Sequence, residues 1–179
     1  MSIVRCRLWS SGKASKTSVR PNSRSFKMLK IMEGYTDNNY KAILSIDVLR
    51  MLFSTYNTEF FNGELAMPRF NITNSLSKVG NFKYDYIGQN DSNIIIEISG
   101  RFNYTMYQLL SILIHEMIHY HLSVHGINSS NHGKEFMEIA NVLNMTNEFH
   151  ITKKIDISEY ERVEKKNMLE KFLGLFNNK

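Results

Sequence analysis

Residues 115–119 read His-Glu-Met-Ile-His, and residues 132–136 read His-Gly-Lys-Glu-Phe. On an α-helix, residues four positions apart lie on one face with Cβ atoms about 5–6 Å apart. The imidazoles of His115 and His119 can therefore converge on one cation. Glu116 lies beside the first of them, where it can act as general base for a metal-bound water. The pattern predicts a zinc hydrolase centre.

The residues around this motif predict a buried helix over residues 105–125. Thr105 and Gln108 have the spacing of a capping box, residues 109–114 are apolar nearly all round, and Gly126 is a plausible C-terminal stop. Polar side chains in such a helix are costly unless a partner satisfies them. The alternative to a metal is a metal-independent structural domain whose histidines bond to backbone carbonyls.

Two histidines compete for the place of third ligand. His125 lies ten residues after His115, as in the pattern HExxHxxGxxH, but that pattern needs a glycine where this chain has Leu122. His132 follows a polar loop and opens a second amphipathic stretch, and a helix starting near Asn131 would direct it back towards the first helix. We predict His132 as the ligand, with His125 as the alternative. The other two histidines are predicted to be surface residues: His121 and His150.

The two motifs resemble those of the SprT-like metalloprotease family, the group that includes the DNA–protein crosslink protease Spartan. Upstream, residues 56–65 are similar to the family's first helix and its Asn-Phe-Gly ending, and residues 78–82 are similar to its glycine-containing strand. The resemblance covers about residues 45–145. A generic HExxH protease would share neither flank.

This resemblance implies one zinc ion held by His115, His119 and His132, with Glu116 as the catalytic residue. It also implies a zincin-like fold. The chain departs from many family members because Cys6 is its single cysteine. A four-cysteine zinc ribbon is therefore impossible, which leaves the resemblance confined to the protease core.

Charge is distributed unevenly along the chain. Of the 22 basic residues, 8 lie in residues 1–30, which contain no acidic residue, so the remainder carries 14 basic and 17 acidic residues, a net charge of −3. The basic, serine-rich residues 1–30 lack apolar periodicity and are predicted to be disordered. They could bind DNA weakly through phosphate contacts, serve as a targeting segment, or precede a later natural start at Met28 or Met32.

Length and composition indicate a small single-domain protein. A chain of 179 residues with 42% hydrophobic content can bury one sizeable core. It has no apolar stretch long enough for a bilayer and no signal-peptide pattern, so no membrane partner is expected. With one cysteine, the expected compartment is the reducing cytoplasm.

The order of predicted elements favours an α+β fold, with a small antiparallel or mixed sheet packed on the helix that bears the motif. A first helix ends at residues 62–63, and a last amphipathic helix covers residues 158–176. The strands are predicted at three positions: residues 69–73, 79–84 and 93–99. The predicted divisions are a disordered extension, a SprT-like domain and a C-terminal helix: residues 1–30, 45–150 and 151–179.

The function predicted from these features is a zinc metallopeptidase that hydrolyses peptide bonds in protein substrates, DNA-associated proteins among them. The substrate is expected to add as a strand to an exposed sheet edge, for which residues 93–99 are the candidate. The alternative is a DNA-associated zinc-binding adaptor without proteolytic activity. Glu116 argues against the adaptor, because a structural zinc site has no need of a base beside its ligand.

Overall fold

The computed structural model describes residues 41–87, 91–128, 130–147 and 149–163. It has three α-helices: α1 (Ile46–Phe60), α2 (Met106–Val124) and α3 (Lys134–Asn147). It has five strands: β1 (Arg69–Thr73), β2 (Gly80–Ile87), β3 (Asp91–Ser99), β4 (Phe102–Asn103) and β5 (Glu161–Arg162). The predicted α+β class is confirmed.

Helix α1 begins and ends where its sequence predicts. The Ser45 side chain accepts a hydrogen bond from the backbone N–H of Val48 at 3.2 Å and caps the N-terminus. After Phe61 the chain passes through two residues with positive φ, Asn62 at 54° and Gly63 at 73°. A left-handed pair ends a helix because it turns the backbone away from the helical axis.

Helix α2 carries the HExxH motif through the core. Its N-terminus has the predicted capping box: Gln108 N–H donates to Thr105 Oγ1 at 3.2 Å, and Thr105 N–H donates to Gln108 Oε1 at 2.9 Å. Gly126, at φ 72°, follows its last turn. Nearly every residue from Leu109 to Tyr120 is buried, so the motif lies in the interior, as predicted.

The main sheet is mixed, with strand order β1-β3-β2. Strand β3 pairs in parallel with β1 and antiparallel with β2. Ile95 and Ile96 point to opposite faces of β3, and both are buried. The prediction that residues 93–99 form an exposed edge is therefore wrong: β3 is the central strand, and its continuous isoleucine run is typical of a strand covered on both faces.

The helices pack on the sheet through aromatic and aliphatic side chains. Phe53 of α1 contacts Phe70 of β1 edge-on, with ring centroids 5.8 Å apart. Tyr120 of α2 stacks on Phe82 of β2 at 5.8 Å. Because Phe53 also stacks on Tyr120, α1, α2 and the sheet share one core, which holds the motif helix directly against β2.

The start of the last predicted helix needs correction. Residues 158–163 form no α-helix; a 3-10 turn over Ile157–Glu159 leads into β5, which pairs with β4. The Asp156 side chain accepts from Ser158 N–H at 2.9 Å and caps this short turn, and Tyr160 packs on Phe102 and Tyr104. These contacts favour the extended conformation over a helix there.

Two parts of the predicted chain lie outside the described residues. They are the basic segment, residues 1–30, and the remainder of the predicted C-terminal helix, residues 164–176. Within the described part of the chain, none of the helices is both long and apolar enough to cross a bilayer.

Candidate metal centre

Three histidine rings meet at one point on the inner face of α2. His115 and His119 lie one turn apart and are 5% and 9% exposed. His132 arrives from the loop before α3, with a left-handed backbone at φ 47°. The Nε2 atoms lie 3.1 Å apart for His115 and His119, 3.0 Å for His119 and His132, and 3.0 Å for His115 and His132.

The structure thus places His132 beside the motif by a different route from the one predicted. Helix α3 begins at Lys134, not near Asn131, so His132 belongs to the preceding loop. Its positive φ is uncommon for a residue other than glycine and turns the ring back towards α2. Phe136, in the first turns of α3, packs against all three imidazoles, with ring centroids 4.6–4.9 Å away.

The donor set of these residues fits a metal ion. Tetrahedral coordination with Zn–N bonds of about 2.0–2.1 Å separates ligand nitrogens by about 3.3 Å, close to the separations between these Nε2 atoms. Burial, together with the charge of neighbouring histidines, lowers the pKa of His115 to about 3 and that of His119 to about 4. Near neutral pH both rings are therefore uncharged, which is the form that binds metal. The three histidines could hold a metal ion.

Glu116 lies next to this cluster in an unusual environment for a carboxylate. It is 4% exposed, and burial raises its pKa to about 8, although a hydrogen bond from the Phe82 main chain and the charge of Lys78 act in the opposite direction. A carboxylate with a pKa near working pH is suited to accept and return a proton. Chemically, Glu116 is therefore equipped to serve as a general base.

Gly80 makes room for that carboxylate. A Cβ atom at position 80 would lie 2.5 Å from Glu116 Oε1 and 2.7 Å from Ile112 Cγ2. Real Cβ atoms do not approach that closely, so only glycine permits this contact between β2 and α2. Sequence reasoning noted Gly80 within a family-like strand but did not predict its contact with Glu116, because the two residues are 36 positions apart.

The cluster opens into a cleft of about 710 Å³ between α2, β2 and the segment after α3. Its lining includes Lys78, Lys153 and Lys154, whereas Glu116 is the one acidic residue that lines it in the described part of the chain. Tyr84 is its one tyrosine there. A cleft of this charge favours negatively charged groups, and no local pattern in the sequence marked its lysines.

Strand β2 forms the exposed edge that was predicted for residues 93–99. It pairs only with β3 among the described strands, and its first half lines the cleft. Phe82 stacks almost parallel to His119, with centroids 6.5 Å apart and planes 9° apart. That ring is partly buried and packs against the core, and this edge passes directly beside the histidines.

His125 lies away from this centre. Its Nδ1 contacts the His121 carbonyl oxygen at 2.8 Å, and it forms a separate group with His121 and Glu64. His121 is half-buried against Phe61, with ring centroids 5.3 Å apart, so the prediction that it is an ordinary surface residue is wrong. His150 is exposed, as predicted.

Comparison with known proteins adds one finding. No curated protein matches the chain. The model of the SprT-like family matches residues 49–155, which is more than half of the sequence and includes the three converging histidines, Glu116 and Gly80. The chain belongs to the SprT-like family, a metallopeptidase-type group.

Proposed function

We propose that this protein is a zinc-dependent metallopeptidase that cleaves peptide bonds in protein substrates. One observation carries the proposal: three imidazoles converge, with their Nε2 atoms 3.0–3.1 Å apart, and a buried carboxylate lies beside them at the wall of an open cleft. A purely structural zinc site has four protein ligands and is closed. Here the described residues supply three, and those three histidines line a cleft from which water or substrate could reach a bound ion.

His115, His119 and His132 would hold a single zinc ion. When bound, zinc lowers the pKa of a coordinated water and polarises a carbonyl group. Glu116 accepts the proton as water attacks the scissile carbonyl and returns it to the departing amine. The Phe82 main chain holds the Glu116 carboxylate through a hydrogen bond.

The substrate would bind as an extended segment along β2. An exposed strand edge offers unpaired N–H and C=O groups that can pair with the backbone of an extended substrate. The cleft between this edge and Lys153 receives the chain. Lys153, Lys154 and Tyr84 line the cleft and are the candidates for stabilising the oxyanion, a role that sequence alone could not assign.

The second candidate is a zinc-binding adaptor that associates with DNA without cleaving protein. The observation that favours it is the block of 8 basic and no acidic residues in positions 1–30. The burial of Glu116 favours the enzyme, because an adaptor does not need to bury a carboxylate beside its metal ligands. We place either activity in the cytoplasm.

The decisive experiment compares the zinc-loaded protein with Glu116→Gln on an unfolded protein substrate. The glutamine keeps the side-chain shape and removes the base, so cleavage should fall by about 10²-fold or more at unchanged zinc content. Equal cleavage by both proteins contradicts the proposed role of Glu116. Absence of cleavage by the wild type, together with DNA binding that needs residues 1–30, favours the adaptor.

A further inference from the structure

A second group of metal-ligating side chains lies on the opposite side of α2. Glu64, His121 and His125 each offer one ligand atom, and these atoms lie within 4.8 Å of one another. His121 and His125 are four residues apart, so both extend from one helical face, with ring centroids separated by 4.4 Å. This is the same i, i+4 spacing as in the HExxH motif, repeated six residues later and therefore on a different face of the helix.

The glutamate comes from the turn after α1, which is firmly held. The Asn57 side chain makes two hydrogen bonds to the backbone of this turn. Its Nδ2 donates to the Leu65 carbonyl at 2.8 Å, and its Oδ1 accepts from Leu65 N–H at 3.2 Å. Glu64 N–H also donates to the Phe61 carbonyl at 3.0 Å. The backbone of Glu64 is therefore fixed beside the last turn of α2 rather than carried on a long free loop.

The two imidazoles are oriented as ligands. The His121 carbonyl can only accept, so His125 donates to it from Nδ1–H at 2.8 Å. This assigns the His125 tautomer and leaves the lone pair of its Nε2 available. A backbone carbonyl that orients a histidine in this way is the usual partner of a metal-bound imidazole.

The His121 ring is held by packing. Its ring lies against Phe61 at a centroid distance of 5.3 Å, and its buried Nδ1 has no hydrogen-bond partner among the described residues. A buried imidazole nitrogen without a partner is costly. Coordination of this ring by a metal ion would compensate for part of that cost.

We propose that Glu64, His121 and His125 form a second metal site, separate from the centre of His115, His119 and His132. Two imidazoles and one carboxylate suit zinc and related divalent transition metals rather than calcium or magnesium, which prefer oxygen ligands. The site is partly exposed, so water can complete the coordination. Its role is structural: the ion would tie the end of α1 to the end of α2.

Zinc titration of the metal-free full chain, followed calorimetrically, tests this site. The wild type should bind two equivalents, and Glu64→Gln/His125→Gln should bind one. His150→Gln, which removes an exposed histidine outside both groups, should still bind two. A wild type that binds one equivalent, or a double variant that still binds two, overturns the proposal.

Thermal unfolding separates the two sites without any activity assay. In a His132→Ala chain, zinc should still raise Tm, because ligand binding to the folded state alone stabilises it. Adding His125→Gln to that chain should abolish the rise, whereas adding His150→Gln should preserve it. A zinc-dependent rise that persists without His125 contradicts the second site, whatever the outcome for peptidase activity.

Discussion

The α-carbon of Gly80 faces the carboxylate of Glu116 so closely that a Cβ atom there would lie 2.5 Å from Oε1. This contact couples the exposed edge strand β2 to the proposed general base. Ile112 Cγ2 would lie 2.7 Å from the same Cβ position, so an added side chain would have to displace Glu116, Ile112 or the strand itself. The placement of Glu116 therefore depends on a residue without a side chain on the neighbouring strand.

Gly80→Ala should impair cleavage more than it impairs metal binding. The added methyl group displaces Glu116 or moves β2 away from α2, and overpacking of this kind costs about 1–3 kcal/mol. We expect a large fall in kcat with zinc content preserved. Gly100→Ala is the matched control, because its Cβ would press on Ile72, 3.0 Å away, and not on the site. Equal kcat for Gly80→Ala and the wild type would remove the proposed coupling.

Burial of Glu116 predicts an unusual pH dependence for the metal-free protein. Its pKa is raised from 4.5 to about 8, so folding favours the protonated carboxyl. The contribution of this carboxyl group to the free energy of unfolding is fully present below pH 4.5 and is lost as the pH rises through 8. In urea unfolding, Glu116→Gln should therefore gain stability relative to the wild type between pH 5 and pH 8.

The control for that measurement is Glu135→Gln, an exposed position on α3. It should show the same pH dependence as the wild type. If Glu116→Gln also follows the wild type at every pH, the carboxyl is not buried as described.

The buried histidines predict that stability falls as the pH is lowered, the opposite of the dependence expected for Glu116. The pKa values of His115 and His119 are lowered from 6.5 to about 3 and about 4, so folding favours the neutral rings. Their contribution to the free energy of unfolding is present above pH 6.5 and is lost as the pH falls through about 4 and then 3. His119→Gln should flatten the loss of stability between pH 6.5 and pH 4, whereas His150→Gln should leave it as steep as in the wild type.

The lysines of the cleft predict a preference for acidic substrate segments. Lys153→Glu should lower kcat/KM for an acidic peptide by about 10-fold at low ionic strength and much less in high salt, since charge steering is screened. Lys134→Glu, on the exposed surface of α3, should have little effect. A fall that is equal for acidic and basic peptides would indicate that Lys153 acts in the chemical step, as an oxyanion-stabilising residue would, rather than by steering.

DNA binding is predicted to depend on the N-terminal segment. Residues after position 30 carry a net charge of −3, so a chain that begins at Met32 should lose DNA affinity while it retains zinc. Affinity of the full chain should fall steeply with salt through counterion release. Tight, salt-resistant binding by the shortened chain would point to a nucleic-acid surface on the folded domain.

The parts of this site that sequence could predict are those encoded locally. The capping box at Thr105 and Gln108 and the spacing of His115 and His119 depend on residues within one or two helical turns. The contacts of Gly80 with Glu116, and the position of Lys153 in the cleft, join distant parts of the chain and depend on tertiary packing. The spacing of apolar residues along the chain does not predict contacts of this kind.

The two corrected elements have different causes. The isoleucine run of β3 was consistent with a central strand from the start, because a half-exposed edge strand alternates apolar and polar residues. The region after Asp156 has an amphipathic pattern, but pairing with β4 and the packing of Tyr160 override helix propensity over its described part.

The most direct test of the metallopeptidase account is an anomalous-difference map at the zinc edge from crystals of the zinc-loaded protein. The account predicts a peak bonded to Nε2 of His115, His119 and His132 at about 2.0–2.1 Å, with water as the fourth ligand and Glu116 beside it. The absence of zinc from these three nitrogens, or a fourth protein ligand closing the site, would contradict it.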